Sequence, residues 1–176
     1  MNTSIDESAF LAWLDAVMTD ELPEEPRGAE YLLWVTHLFN HAEAYLGKYS
    51  RRQVGKGLWS LNSNLSPLPD LFDPAIARDV RLNCLRSFWR IFEYFDRHCL
   101  RQTSHNRDEN DKLNAISYMW WDCFPSWGHP DKPEMAEMDD LCLKLMEATL
   151  RLPNPACQES ALHGLIPIRV HRHNNS

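Results

Sequence analysis

The sequence predicts an all-α fold, either a stack of antiparallel helical hairpins or a compact multi-helix bundle. Three observations carry that expectation. Apolar residues recur at helical spacing through most of the 176 residues. The 11 prolines cluster between those periodic segments, where a ring without an N–H breaks a helix, and only 6 glycines are present. No stretch alternates apolar and polar residues between turn signals as a half-buried strand would.

The first helix is expected from Ser4, because Ser4-Ile5-Asp6-Glu7 fits the capping box, in which two side chains satisfy two orphan backbone N–H groups. Phe10, Leu11, Trp13, Leu14, Val17 and Met18 follow at helical spacing, and the segment from Leu22 to Gly28 ends it. A second helix is expected from Glu30 to Leu46, with Tyr31, Trp34, Val35, Leu38, Ala42 and Tyr45 on its apolar side and Gly47 as its stop. A short third helix carries Val54, Leu58, Trp59 and Leu61, before an irregular loop from Asn62 to Pro69.

The clearest helix spans Pro74 to Leu100. At about 100° per residue, Cys84, Phe88, Ile91, Phe92, Phe95 and Cys99 fall on one side. Arg86, Arg90, Arg97 and Arg101 fall on the other, with Glu93 among them. A polar connector leads to a helix from Asp111 to Phe124, and Pro125 to Pro133 must be a loop. A helix from Glu134 to Leu152 carries Asp140, Lys144, Glu147 and Arg151 outward, in acid-first i,i+4 pairs worth a few tenths of a kcal/mol each. Asn154 is a good N-cap and Pro155 a good first residue for a short last helix. From Ile166 to Ser176 the helical pattern fades, so residues 1–165 are expected to form one domain and 166–176 a tail.

A phrase recurs along this layout: Gln53 to Leu61, Arg81 to Trp89, Lys112 to Trp120 and Gln158 to Ile166. Each copy opens on a long polar residue, places a small residue near its middle and ends in a bulky apolar group. The segment from Met138 to Ile166, with its Asn-Pro turn and the small residues Ala161 and Gly164, resembles a HEAT-type helical hairpin. The resemblance implies stacked hairpins, a concave surface and a role in binding another macromolecule. The earlier copies lack the Asn-Pro turn, and their connectors vary in length.

Composition narrows the function. The hydrophobic fraction of 44% and charged fraction of 24% are those of a globular chain. No apolar run approaches the roughly 18 residues of a membrane helix, and the first residues lack the pattern of a signal peptide. The 5 cysteines form no CxxC pair and fall mostly on apolar faces, as reduced thiols in a cytoplasmic protein would. Net charge is −7, with acids concentrated in the first thirty residues and a basic excess between Lys48 and Lys112. That balance argues against a general nucleic-acid binder but allows local attraction of an acidic partner.

The candidate binding residues follow. Arg86, Arg90, Arg97 and Arg101 could grip carboxylates or phosphates with bidentate forks. Tyr118, Trp120, Trp121 and Trp127 form an aromatic group in which Trp121 could anchor a partner, although packing against the next helical layer is the favoured reading, because a stacked helix is buried on two sides. His37 and His41 have the i,i+4 spacing of a metal pair but no Glu after the first His. His98, Cys99, His105, Cys123 and His129 match no structural zinc spacing. Gly55-Lys56-Gly57 lacks the phosphate-loop spacing, and Cys157 and His163 lie six apart on one helix. No catalytic constellation stands out, and no cofactor or metal is expected. The sequence is therefore read as a non-catalytic protein-protein interaction module, such as an immunity or adaptor protein. The alternatives are a small metal- or ligand-dependent helical enzyme using His37, His41, Glu43, Asp122 and His129, or a nucleic-acid backbone binder using the arginines.

Overall fold

A computed structural model describes residues 5–19, 21, 26–63, 65–104, 108, 110–124 and 132–173, with side chains described as far as residue 166. The α-helices are α1 (Glu7–Thr19), α2 (Gly28–Asn40), α3 (Ala42–Leu46), α4 (Arg51–Leu61), α5 (Arg78–His98), α6 (Lys112–Cys123), α7 (Ala136–Thr149) and α8 (Pro155–His173). Two 3-10 turns, Leu68–Phe72 and Pro133–Met135, lie in the connections. No strand occurs among the described residues, and the fold is an all-α multi-helix bundle.

Most helices begin where a side chain can take up orphan N–H groups. Asp6 does this for α1, accepting from Ser8 N at 3.0 Å and Ala9 N at 3.1 Å, so the cap is Asp6; Ser4 lies outside the described residues. A capping box does form, at Ser50 and Gln53 ahead of α4. Asp111 caps α6, accepting from Leu113 N and Asn114 N at 3.1 and 3.2 Å. Asn154 caps α8 through Ala156 N at 3.0 Å, with Pro155 as first residue, as the sequence implies. At the head of α2, Gly28 has φ +61°, a left-handed conformation in which a side chain is strained, and its N–H donates to Asp70 Oδ2 at 2.8 Å.

Two expectations are corrected. The helix expected over 30–46 is two helices, α2 and α3, broken at His41 (φ −124°, ψ 30°). His41 supplies the cause, because its own Nδ1 lies 2.9 Å from the His37 carbonyl oxygen and competes for a helical acceptor. Gly47 does follow the last residue of α3 as its stop, with φ −61° and its N–H on Glu43 O, where a Cβ would stand 2.9 Å from that oxygen. The segment expected to leave the helical pattern at Ile166 instead continues α8 to His173.

The principal helix pairings skip along the chain. α2 lies on α5, α4 bridges α1 and α6, α6 lies on α8, and α7 packs on α5 and α8. The recurring phrase sits on α4, α5, α6 and α8, and small residues bring three of these together. A Cβ on Gly55 in α4 would stand 2.7 Å from the Lys112 carbonyl oxygen of α6. One on Gly164 in α8 would stand 2.7 Å from Trp121 Cβ, also in α6. The core gathers around Trp120, fully buried, whose ring meets Phe39, Phe88 and Phe95 edge-on at 5.8, 5.5 and 5.6 Å. Such pairs add about 0.5–1.5 kcal/mol each beyond their area burial.

A second, polar device fixes the C-terminal end of α5. Buried Asn114 of α6 accepts from Leu100 N at 2.8 Å and donates to Leu100 O at 3.1 Å, so one amide side chain satisfies both backbone groups of one residue. Asn154 donates to Cys99 O at 3.0 Å while its own N–H is held by Asp96 Oδ1 at 2.9 Å. Arg51, the first residue of α4, donates to the His98 carbonyl, to Asp111 at 2.6 Å and to Asn114 at 3.2 Å. Four helices therefore meet at backbone groups that helix termination would otherwise leave unpaired.

Candidate functional site

The outer face of α5 borders a groove. Its inner face is occupied by Phe88, Ile91, Phe92 and Phe95, all fully buried, so the arginines of the same helix can only point outward. Arg86, Arg90 and Arg97 stand on one side, and the end of α2 supplies the other. Two adjoining hollows result. One, of about 410 Å³, is bounded by Thr36, Asn40, Asn83, Arg86 and Arg90 over half-buried Trp89. The other, of about 330 Å³, lies between Phe39, Asn40 and Ala42 on one side and Arg90, Glu93 and Arg97 on the other. Asn40 and Arg90 are common to both.

The arginines are held lightly. Arg86 Nη1 donates to Asn83 Oδ1 at 3.0 Å. Arg90 Nη1 donates to Glu93 Oε2 at 2.8 Å, an exposed i,i+3 pair. Arg97 Nε donates to the Glu93 carbonyl and approaches Glu43 Oε1, each at 3.1 Å. Glu43 is shared with His98, whose Nε2 lies 2.9 Å from Oε2 and whose ring stacks on Tyr94 at 4.3 Å. Exposed pairs of this kind contribute at most about 1 kcal/mol and give way readily to a better partner.

The other residues singled out by the sequence sit elsewhere. Arg101 is exposed, but α5 has ended before it, so it does not continue the row. Tyr118 is buried, and its hydroxyl donates to Gln102 O at 2.6 Å. Trp121 is buried too, stacked on Phe92 at 5.9 Å and 9°, because α6 is covered on both sides by α4 and α8. Neither is placed to be a surface anchor. Trp127 lies outside the described residues. Among the described residues the most exposed tryptophan is Trp59 on α4, at 41%. Polar residues four apart, Thr36 and Asn40 at the border of α2's apolar face, were the available sign of the groove's second wall.

No protein-family model, curated protein or solved structure matches this chain. The site therefore has to be read from its own chemistry.

The residues of the enzyme alternative fall into separate clusters. His37 Nε2 lies 2.7 Å from the Tyr45 hydroxyl, which donates to Glu7 Oε1 at 2.8 Å. With the hydroxyl proton so committed, Nε2 carries the imidazole proton and is not a lone pair for a metal. Burial, reinforced by the neighbouring His41, holds His37 below its ordinary range. Glu43 belongs to Arg97 and His98, and Asp122 pairs with His163 at 2.9 Å; His129 lies outside the described residues. Among the described residues no three His, Cys, Asp or Glu side chains gather as a metal site would require. Burial pushes the Cys84 and Cys99 thiols up to about 12 and raises Cys142, Cys157 and Cys123 as well, which disfavours the thiolate needed by a nucleophile. No described helix is long and apolar enough to cross a membrane.

Proposed function

We propose that this chain is a non-catalytic, cytoplasmic binding module that holds an acidic segment of another protein in the groove between α2 and α5. The observation that carries the reading is the placement of Arg86, Arg90 and Arg97 along the rim of a groove, each held only by pairs at the surface. A groove confines a ligand chain, and arginine forks reward carboxylates with charge-assisted hydrogen bonds. The HEAT-like character of residues 138–166 fits the same class of function, to which immunity and adaptor proteins belong. Nucleic acid is the less favoured partner: net charge is −7, and two of the three groove arginines are already matched by Glu43 and Glu93.

The test is chemical crosslinking and capture from native lysate with three proteins: wild type, Arg86→Glu/Arg90→Glu, and Arg52→Glu. Arg52 is exposed on α4 and serves as the control reversal. Wild type and the control should retain the same stoichiometric protein, and the groove variant should lose it. Equal retention by all three would remove the groove from the function. Nuclease-sensitive retention would move the reading to nucleic acid.

A further inference from the structure

The three groove arginines are not equivalent, and the difference names a ligand. Arg90 has the Glu93 carboxylate at 2.8 Å, and Arg97 has that of Glu43 at 3.1 Å. Arg86 has a neutral partner, the Asn83 amide oxygen at 3.0 Å, and no carboxylate pairs with it among the described residues. One uncompensated positive charge therefore remains in the groove, at the end nearest Trp89. Asn83 takes the Nη1 corner of the guanidinium, and the two parallel donors of the Nε–Nη2 edge have no hydrogen-bond partner among the described residues. That edge matches the two oxygens of a carboxylate.

Charge decides between carboxylate and phosphate. A single unmatched cation balances a monoanion. A phosphate near neutral pH carries close to two charges, and a second cation would have to be taken from the Arg90–Glu93 pair. The surroundings add a second element of recognition. Trp89 is half-buried beneath the same hollow and offers indole surface beside the charge. The Thr36 hydroxyl donates to Leu32 O at 2.6 Å, so its proton is committed and it presents only lone pairs, which do not attract a further anion.

We infer that Arg86 is the seat of one Asp or Glu side chain from an acidic peptide segment, with the adjoining apolar residue of that segment lying against Trp89. This rests on the groove reading above and narrows it to one residue and one ligand chemistry. Arg90 and Arg97 then act as a flank whose charge is already balanced.

The experiment is selection of random linear peptides on the immobilised full chain. The best sequence is then synthesised in three forms, with Glu, Gln or phosphoserine at its acidic position, and binding is read by fluorescence anisotropy. Selected peptides should carry an acidic residue next to an apolar one, and the Gln form should bind about tenfold or more weakly. Arg86→Ala should lose the same factor for the Glu form and should no longer distinguish Glu from Gln. A structural defect would weaken both forms alike and keep the difference between them. Arg52→Ala, exposed on α4 and outside the groove, should leave the Glu form unaffected. No enrichment of acidic sequences, or tighter binding of the phosphoserine form, would overturn the inference. If binding is acidic but follows Arg90 or Arg97 instead of Arg86, the seat is wrong and the groove reading stands. If none of the three arginines matters, both fall.

Discussion

The two ends of α5 use polar side chains in opposite ways. At its C-terminal end, Asn114, Asn154 and Arg51 reach in from α6, the α7–α8 turn and α4 to satisfy backbone groups of residues 98–100. Toward its N-terminal half, Arg86 and Arg90 touch only residues three positions away on their own helix. The first arrangement joins segments distant in sequence, and removing Asn114 or Asn154 takes the partner from a part-buried or buried backbone group. The second joins nothing, and its members can be removed without leaving a buried group unpaired. Polar residues that complete the backbone belong to the fold, whereas polar residues satisfied by neighbours and water remain available to a partner.

The largest effect should come from breaking the close approach of α4 and α6 beside the C-terminal junction. Gly55→Val places atoms where the Lys112 backbone already stands and should cost about 3 kcal/mol or more, read as a lowered urea midpoint. A midpoint like that of the wild type would mean that the two helices can separate at little cost. Next comes Asn114→Ala, which leaves the N–H and C=O of Leu100 without their partner and should cost about 2–3 kcal/mol. A cost below about 0.5 kcal/mol, the range of ordinary surface substitutions, would erase the distinction drawn between the two ends of α5.

The smallest effect concerns α2 on the side away from the groove. His37 is held below its ordinary value of 6.5, first by burial and then by His41. The native state therefore keeps His37 neutral at pH values where the unfolded chain takes up a proton. Its contribution to stability is complete above about 6.5 and is lost as pH falls from there through the native value. Melting temperatures measured between neutral and mildly acidic pH should fall less steeply in His37→Gln than in the wild type. Parallel curves would show that His37 is not the group that titrates.

Much of the fold was legible because local signals and burial agreed. The faces of α5 could be read from one period of 3.6, and the Asn154-Pro155 start of α8 from cap chemistry alone. The break at His41 was not legible, since neither glycine nor proline marks it and its cause is a side chain competing for a carbonyl oxygen. In the sequence, one of the pair at 120–121 must leave the helix's main inner face, and packing against a neighbouring layer is the favoured reading for Trp121. The packing of α4 and α8 on both sides of α6 puts both in the core. The arginine row was visible in the sequence, but its groove was not: the second wall comes from α2, nearly fifty residues away, and the pairing that leaves Arg86 without a carboxylate depends on Glu43 in α3.

The most direct test of the contrast between the two ends of α5 is thermal melting of Arg86→Glu/Arg90→Glu beside Asn114→Ala. For a chain of this length about 1 kcal/mol corresponds to roughly 2–4 °C. The groove variant should melt within about 3 °C of the wild type and the junction variant several degrees lower. A groove variant that melts as low as the junction variant would contradict the account, because its arginines would then be holding the fold together and could not be the part reserved for a partner.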